Sequence, residues 1–393
     1  MAGSNLTSSG TRPWRDPRVR AVAFQVVALA AVFWFGYTLF ENTLTNMADR
    51  GISTGFGFWD EQAGFGIIMS LIPYKETMTY GRTFWVGLLN TVLVSGLGIV
   101  IATIIGFIIG VARLSSNWLV AKLAAAYIEI FRNIPLLLQI FFWYFAVLGN
   151  VPPPRQSLSA AGAFFLNNRG LYVPAPVTDE GFGYVVAALV VAIVATVVIY
   201  RWAKRRQNRT GQPFHTFWTG LGLIVGLPLI TYFVAGEPLH WEVPELRGFN
   251  FAGGMVMIPE FASLLLALSI YTAAFIAEIV RSGILSVSHG QTEAAAALGL
   301  RPGLTLRLVV IPQAMRVIIP PLTSQYLNLT KNSSLATAIG YPDLVAVFMG
   351  TTLNQTGQAV EIVAITMAVY LTISLSISLL MNIYNRAVAL KER

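Results

Sequence analysis

Apolar residues gather into runs long enough to cross a lipid bilayer, and this constrains the chain more than any other feature. Eight such runs are readable: Ala21 to Phe40, Gly87 to Val111, Leu123 to Leu148, Gly183 to Tyr200, Phe217 to Ala235, Phe261 to Val280, Val317 to Ile339 and Val360 to Ile383. A spanning helix needs about 20 predominantly apolar residues. Within lipid only a helix satisfies every backbone N–H and C=O inside its own segment, so the runs predict an all-α polytopic membrane protein of about eight spans. With 55% hydrophobic and 11% charged residues over 393 positions, the composition is not that of a soluble chain. The seventh run is the least hydrophobic. The first resembles a secretory signal, but the small-residue site at Ala28-Leu29-Ala30 lies in mid-run, so the span is expected to be kept. The stretches Glu41 to Arg82, Gly149 to Gly181 and Gly236 to Glu260 are rich in Gly, Pro and Asn and read as loops.

The positions of Lys and Arg set the orientation, because these residues accumulate on the cytoplasmic side. With the N-terminus inside, 18 basic residues fall on the cytoplasmic side and 6 on the other, leaving Arg132 and Lys331 within spans. Both termini are therefore expected in the cytoplasm. The same distribution accounts for the +8 net charge through contact with membrane lipid, with no need of a nucleic-acid partner. Zero cysteines and three scattered histidines, His215, His240 and His289, argue against metal and thiol chemistry. No Gly-x-x-x-x-Gly-Lys-Ser/Thr loop, His-Glu-x-x-His or Gly-x-Ser-x-Gly occurs, so the chain is expected to be neither an enzyme nor a nucleotide binder by those routes.

Residues Ser286 to Pro312 are too polar to span and too patterned for a linker. Glu293 to Leu298 favours helix at every position, and Gly299 with Pro302 supplies a stop, giving a short helix, a turn and a second short helix. A helix of nearly bare alanines suits close docking by another protein. The other reading is a helix lying on the membrane, with Arg301 and Arg307 on lipid.

Ser324, Gln325, Asn328, Lys331 and Asn332 recur at helical spacing and form one polar stripe on the seventh run. In lipid such a stripe faces protein or water. It either lines a translocation path or fastens the helix bundle. Glu129 and Arg132, followed by Asn133 and helix-bending Pro135, either contact substrate or shape and gate the bundle, whereas Glu278 with Arg281 reads as a structural pair near the surface. For a zwitterion, Lys331 and Arg132 would face the carboxylate and Glu129 the ammonium.

Glu293-Ala294-Ala295, three residues, Gly299, nine residues, then Val309-Val310-Ile311-Pro312 resembles the cytoplasmic signature of ATP-binding-cassette (ABC) importer permeases. Val309 and Ile311 replace the Ile and Leu that the pattern prefers. Leu89-Asn90-Thr91, Glu129 to Leu137, Tyr271 to Gly283 and Lys331 to Leu335 are similar to the polar amino-acid branch, and the eight-span layout is similar to general L-amino-acid permeases. The resemblance implies a type I importer permease fold in a bacterial inner membrane. It places Glu293, Ala294, Ala295, Gly299 and Pro312 at an ATPase contact. It also implies an ABC ATPase subunit dimer that holds the ATP and Mg, a second, homologous permease half as a heterodimer partner, and a periplasmic amino-acid-binding protein. The expected organisation is residues 1–86 as N-terminus, first span and periplasmic loop, 87–386 as the permease domain with an insertion at about 149–260 and a coupling loop at 286–312, and 387–393 as a cytoplasmic tail. The rival is an ion-coupled secondary transporter of amino acids, which gives no reason for the helix-turn-helix.

Overall fold

The computed structural model describes residues 17–49, 51 and 54–388. Among them seven helices are long and apolar enough to cross a membrane, and a bent pair raises the number to as many as eight. They are α1 (Pro17–Asp49), α2 (Tyr80–Ala112), the pair α3 (Trp118–Asn133) and α4 (Leu136–Phe141, continued by a π-helical turn Phe142–Val147), α5 (Phe182–Thr210), α6 (Thr216–Val234), α7 (Pro259–Leu285), α10 (Ile311–Asn332, with a one-turn α9, Pro302–Thr305, before it) and α12 (Ala359–Val388). Short α8 (His289–Ala297) lies between α7 and α9, and one-turn α11 (Leu353–Thr356) precedes α12. The run-by-run expectation therefore holds for the helical class and the span number.

The described residues fall into two compact units. One holds those up to Gly87 with Leu344–Ile373. Its core is an aromatic cluster in which Trp59 and Phe348 lie 5.2 and 5.4 Å from Phe84, and Phe58 packs 6.2 Å from Phe348. Gly81 is required there, because a Cβ would sit 2.4 Å from the Trp59 ring nitrogen. Part of the stretch read as the first loop is thus anchored, with Ala63 N–H donating to Met78 O at 2.8 Å and Tyr80 Oη to Gln355 Oε1 at 2.9 Å. Within this unit α1 leaves its large apolar side chains other than Met47 exposed, as lipid-facing residues are.

The second unit, Leu88–Asp343 with the described residues from Ser374, is built around α7. Its inward side is dense in small residues, with Ser263, Ala267, Ala273, Ala274 and Ala277 all buried. Small side chains let helices approach closely where lipid removes the hydrophobic drive for packing. A Cβ on Gly106 of α2 would fall 2.6 Å from Ile276, and one on Gly283 would fall 2.3 Å from Ile318 of α10. Hydrogen bonds tie the same helices. Tyr127 Oη donates to Ile270 O at 2.8 Å, Thr103 Oγ1 and Tyr326 Oη lie 2.9 Å apart, and Asn90 Nδ2 donates to Pro342 O at 2.9 Å.

Three sequence expectations are corrected. The third run is not one helix, because α3 and the segment from Leu136 meet at 105°. Pro135 supplies no N–H to the Phe131 carbonyl, and Gln139 Nε2 donates to both Phe131 O and Ile134 O at 3.0 Å, which satisfies the broken backbone from the side. The stretches Gly149–Gly181 and Gly236–Glu260 are not plain loops: they form eight short strands. These are β1 (Leu158–Ala160), β2 (Phe164–Asn167), β3 (Gly170–Val173), β4 (Ala175–Thr178), β5 (Leu239–Glu242), β6 (Glu245–Arg247), β7 (Asn250–Ala252) and β8 (Met255–Met257). The two stretches pair across the α5–α6 hairpin, in a sheet ordered β1-β2-β3-β8 and in β4-β5. Finally, the second coupling helix does not end at Pro312. It runs from α9 through a π-helical turn, Leu306–Val310, straight into α10, with Pro312 just past the π-helical turn, where the regular backbone bonding is already interrupted.

Candidate functional site

The loop at 286–312 is compact, and much of α8 within it is exposed. Helix α8 ends in a Schellman arrangement, with Leu300 N–H donating to Ala295 O at 3.1 Å and Gly299 N–H to Ala296 O at 2.9 Å. Gly299 carries φ +74°, the left-handed conformation glycine adopts without penalty. Glu293 and Ala294 are exposed, as is Leu298 at 80%, while Glu293 Oε1 lies 2.9 Å from His289 Nδ1 one turn earlier. Ala295 points the other way and is 3% exposed, so it packs inside the loop, and Pro312 is half-buried. Between α8 and α9 lies an apolar recess of about 340 Å³ lined by Ala296, Leu300, Pro302, Leu306 and Val310 among others. Bare alanine, an exposed leucine and an apolar hollow are the chemistry of a protein contact.

A second recess, also about 340 Å³, lies among α3, α7 and α10 and falls in the size range of small-molecule sites, about 300–1,000 Å³. Arg132, Glu278, Ser282 and Gln325 supply its polar lining, and Phe275, Val317 and Pro321 the apolar part. The Arg132 guanidinium sits over the Phe275 ring at 5.2 Å, a cation–π placement that fixes a long side chain. Glu278 accepts from Arg281 Nε at 2.9 Å on its own helix. Arg132 and Gln325 are among the residues the sequence offered for the pathway, the Glu278–Arg281 ion pair is the structural pair it expected, and Ser282 was not singled out. The i, i+4 spacing of Glu278 and Ser282 on α7 was a signal that could have joined them to Arg132.

The other expected pathway residues are not gathered in that recess. Glu129 and Asn133 lie on the exposed side of α3, where Asn133 Nδ2 donates to Glu129 O at 2.7 Å. Lys331 is six residues beyond Gln325, about 9 Å along the helix at 1.5 Å per residue, and is not among the residues that line the recess. On α10, Ser324, Asn328 and Lys331 are exposed and Gln325 and Asn332 half-buried, while Leu322 and Leu329 are buried. Among the described residues no hydrogen bond within the chain holds any of those five polar side chains. Three of the five are thus exposed, and Gln325 turns toward the recess.

Residues 188–390 match the family model described as the inner membrane component of binding-protein-dependent transport systems. YhdX of Escherichia coli (strain K12), provisionally assigned as an amino-acid ABC transporter permease, is 60% identical over all of this chain and all of its own length. The general L-amino acid transport system permease AapQ of Rhizobium johnstonii is 56% identical over 96% of this chain and 94% of its own. BztB of Rhodobacter capsulatus, a permease of a glutamate/glutamine/aspartate/asparagine transport system, is 45% identical over 96% of each. These likenesses span the extra helices as well as the shared ones, and they leave no room for the ion-coupled rival. The chain belongs to the inner membrane components of binding-protein-dependent transport systems, as a permease subunit of the amino-acid ABC importer branch.

Proposed function

We propose that this permease carries L-amino acids inward across a bacterial inner membrane, with both of its termini in the cytoplasm. It takes substrate from a periplasmic amino-acid-binding protein and energy from an ABC ATPase subunit dimer that holds the ATP and Mg. The observation that carries the reading is α8: a nine-residue helix outside the spans, with exposed Glu293 and Ala294, followed after the Gly299 turn by α9, which runs into α10 without a break. A push on α8 is delivered directly to the helix that bears the polar stripe. Glu293, Ala294 and Gly299 form the ATPase contact, Ala295 packs beneath it, and Pro312 marks the entry into α10.

Ser324, Gln325, Asn328, Lys331 and Asn332 face a second permease subunit, a homologous heterodimer partner, and together the two halves enclose the path. Arg132, aided by Gln325, receives the substrate carboxylate at the recess, and Glu278 meets the ammonium. Glu129 and Asn133 line the approach along α3. The relative BztB is assigned to acidic amino acids and their amides, for which a fixed guanidinium is a suitable partner.

The absence of native cysteine makes the test clean. A single Ala294→Cys is expected to crosslink to the ATPase subunit in the assembled importer, with uptake into proteoliposomes requiring ATP. Crosslinks to lipid alone, or uptake by this chain driven only by an ion gradient, would end the proposal.

A further inference from the structure

The α5–α6 hairpin carries five cations and no anion. Arg201, Lys204, Arg205, Arg206 and Arg209 lie within nine residues, and no Asp or Glu occurs between Gly181 and Gly236. Arg206 is engaged: its guanidinium lies 5.6 Å from the Trp202 ring, and its Nη2 donates to Gln212 Oε1 at 2.9 Å. Arg201, Lys204, Arg205 and Arg209 are exposed and make no ion pair among the described residues. At i, i+3, i+4 and i+8 they share an arc of about 140°, one face of the helix.

Their depth is set by length. From Phe182 to Tyr200 the helix is apolar, and at 1.5 Å per residue that stretch rises about 28 Å, close to the ~30 Å hydrocarbon core. Arg201 therefore emerges where lipid phosphates begin. Trp202 packs edge-on against Phe214 at 5.5 Å, and exposed Phe217 and Trp218 open α6 alongside, the aromatic girdle of an interface. Beyond each other, α5 and α6 touch the remaining helices of their unit little, which leaves the outer faces of the hairpin open to lipid.

We propose that this face is a binding site for anionic phospholipid headgroups, with Arg201, Lys204, Arg205 and Arg209 taking the phosphates. Four uncompensated cations just past a span, rimmed by aromatic rings, supply charge for headgroups that the hairpin's own sequence leaves unmatched. This role is separate from the coupling loop, and it gives the two extra helices a purpose of their own.

The test uses the full-length chain reconstituted in nanodiscs of phosphatidylcholine mixed with phosphatidylglycerol, with spin-labelled lipid reporting selectivity. Preference for the phosphatidylglycerol label is expected, and it should weaken as salt shortens the Debye length from ~30 Å at 0.01 M to ~3 Å at 1 M. Lys204→Gln with Arg205→Gln and Arg209→Gln is expected to lose about five-fold in relative affinity per charge. The charge-keeping Lys204→Arg, Arg205→Lys, Arg209→Lys set should retain the preference, as should Arg301→Gln with Arg307→Gln in the coupling loop. The wild-type salt titration decides the matter even where the neutralised variant fails to insert. Equal affinity for both lipids, selectivity unchanged by salt, or loss of an ATPase subunit from the neutralised variant with lipid selectivity intact would overturn the proposal.

Discussion

Gly299→Ala isolates the handle's geometry from its chemistry. Open space surrounds Gly299, with no atom within 4 Å of where a Cβ would stand, so the substitution adds no clash. The cost is confined to the backbone: a φ of +74° places an L-residue in the left-handed region, at about 1–2 kcal/mol. Helix α8 has nine residues, and its last turn is closed by the bonds Gly299 and Leu300 make to Ala296 and Ala295. One to two kcal/mol shifts that local equilibrium roughly 5- to 30-fold toward a frayed end. The expected result in proteoliposomes with the partner subunits is uptake reduced several-fold while the chain's thermal stability stays within a few degrees of wild type, because α8 lies outside the bundle. Gly299→Asn, which tolerates the same backbone region, should recover most of the loss. If Gly299→Ala transported like wild type, or if Asn were as damaging as Ala, the turn would not be a mechanical element and the reasoning from φ would fail.

Other substitutions test the bundle and the recess. Gln139→Leu strips the side-chain donor from Phe131 O and Ile134 O, and with a buried unpaired carbonyl costing about 1–3 kcal/mol it should lower the melting temperature in detergent, whereas exposed Leu138→Ala should not. Gly106→Ala forces a Cβ to within 2.6 Å of Ile276, an overpacking of about 1–3 kcal/mol that size-exclusion and thermal-unfolding profiles should register. Arg132→Ala is expected to raise the KM for uptake at least ten-fold, with Arg132→Lys recovering only part of it, since a lysine cannot offer a planar fork to a carboxylate. Glu278→Gln should lower uptake while leaving assembly with the partner subunits intact; an unchanged KM in both variants would remove the recess from the substrate path.

How much of this was legible in the sequence follows from the range over which each feature is decided. Membrane spans are decided locally, by one apolar run and its own backbone, so all eight appeared at nearly the right places. The Gly299 stop was likewise legible, because a helix end depends on residues a few positions apart. The short strands were not: Leu171 pairs with Met257 and Val177 with His240, and a three- or four-residue strand has no periodicity of its own before its distant partner arrives. Pro135 announced a bend, but its angle depends on Gln139, a residue that in sequence is merely a polar interruption in an apolar run. The recess shows the same limit: Arg132, Glu278 and Gln325 lie on three helices, and only packing permitted by Gly283 and the small residues of α7 brings them to one hollow. Charge within a span marks a residue as costly and hence as a candidate, but not its companions. The polar side chains at Ser324, Gln325, Asn328, Lys331 and Asn332 of α10 make no hydrogen bond within the chain among the described residues, and at membrane depth such groups face protein or water. Which surroundings meet those side chains is decided outside the sequence of this one chain, just as the companions of Arg132 are decided by packing and not by its own run.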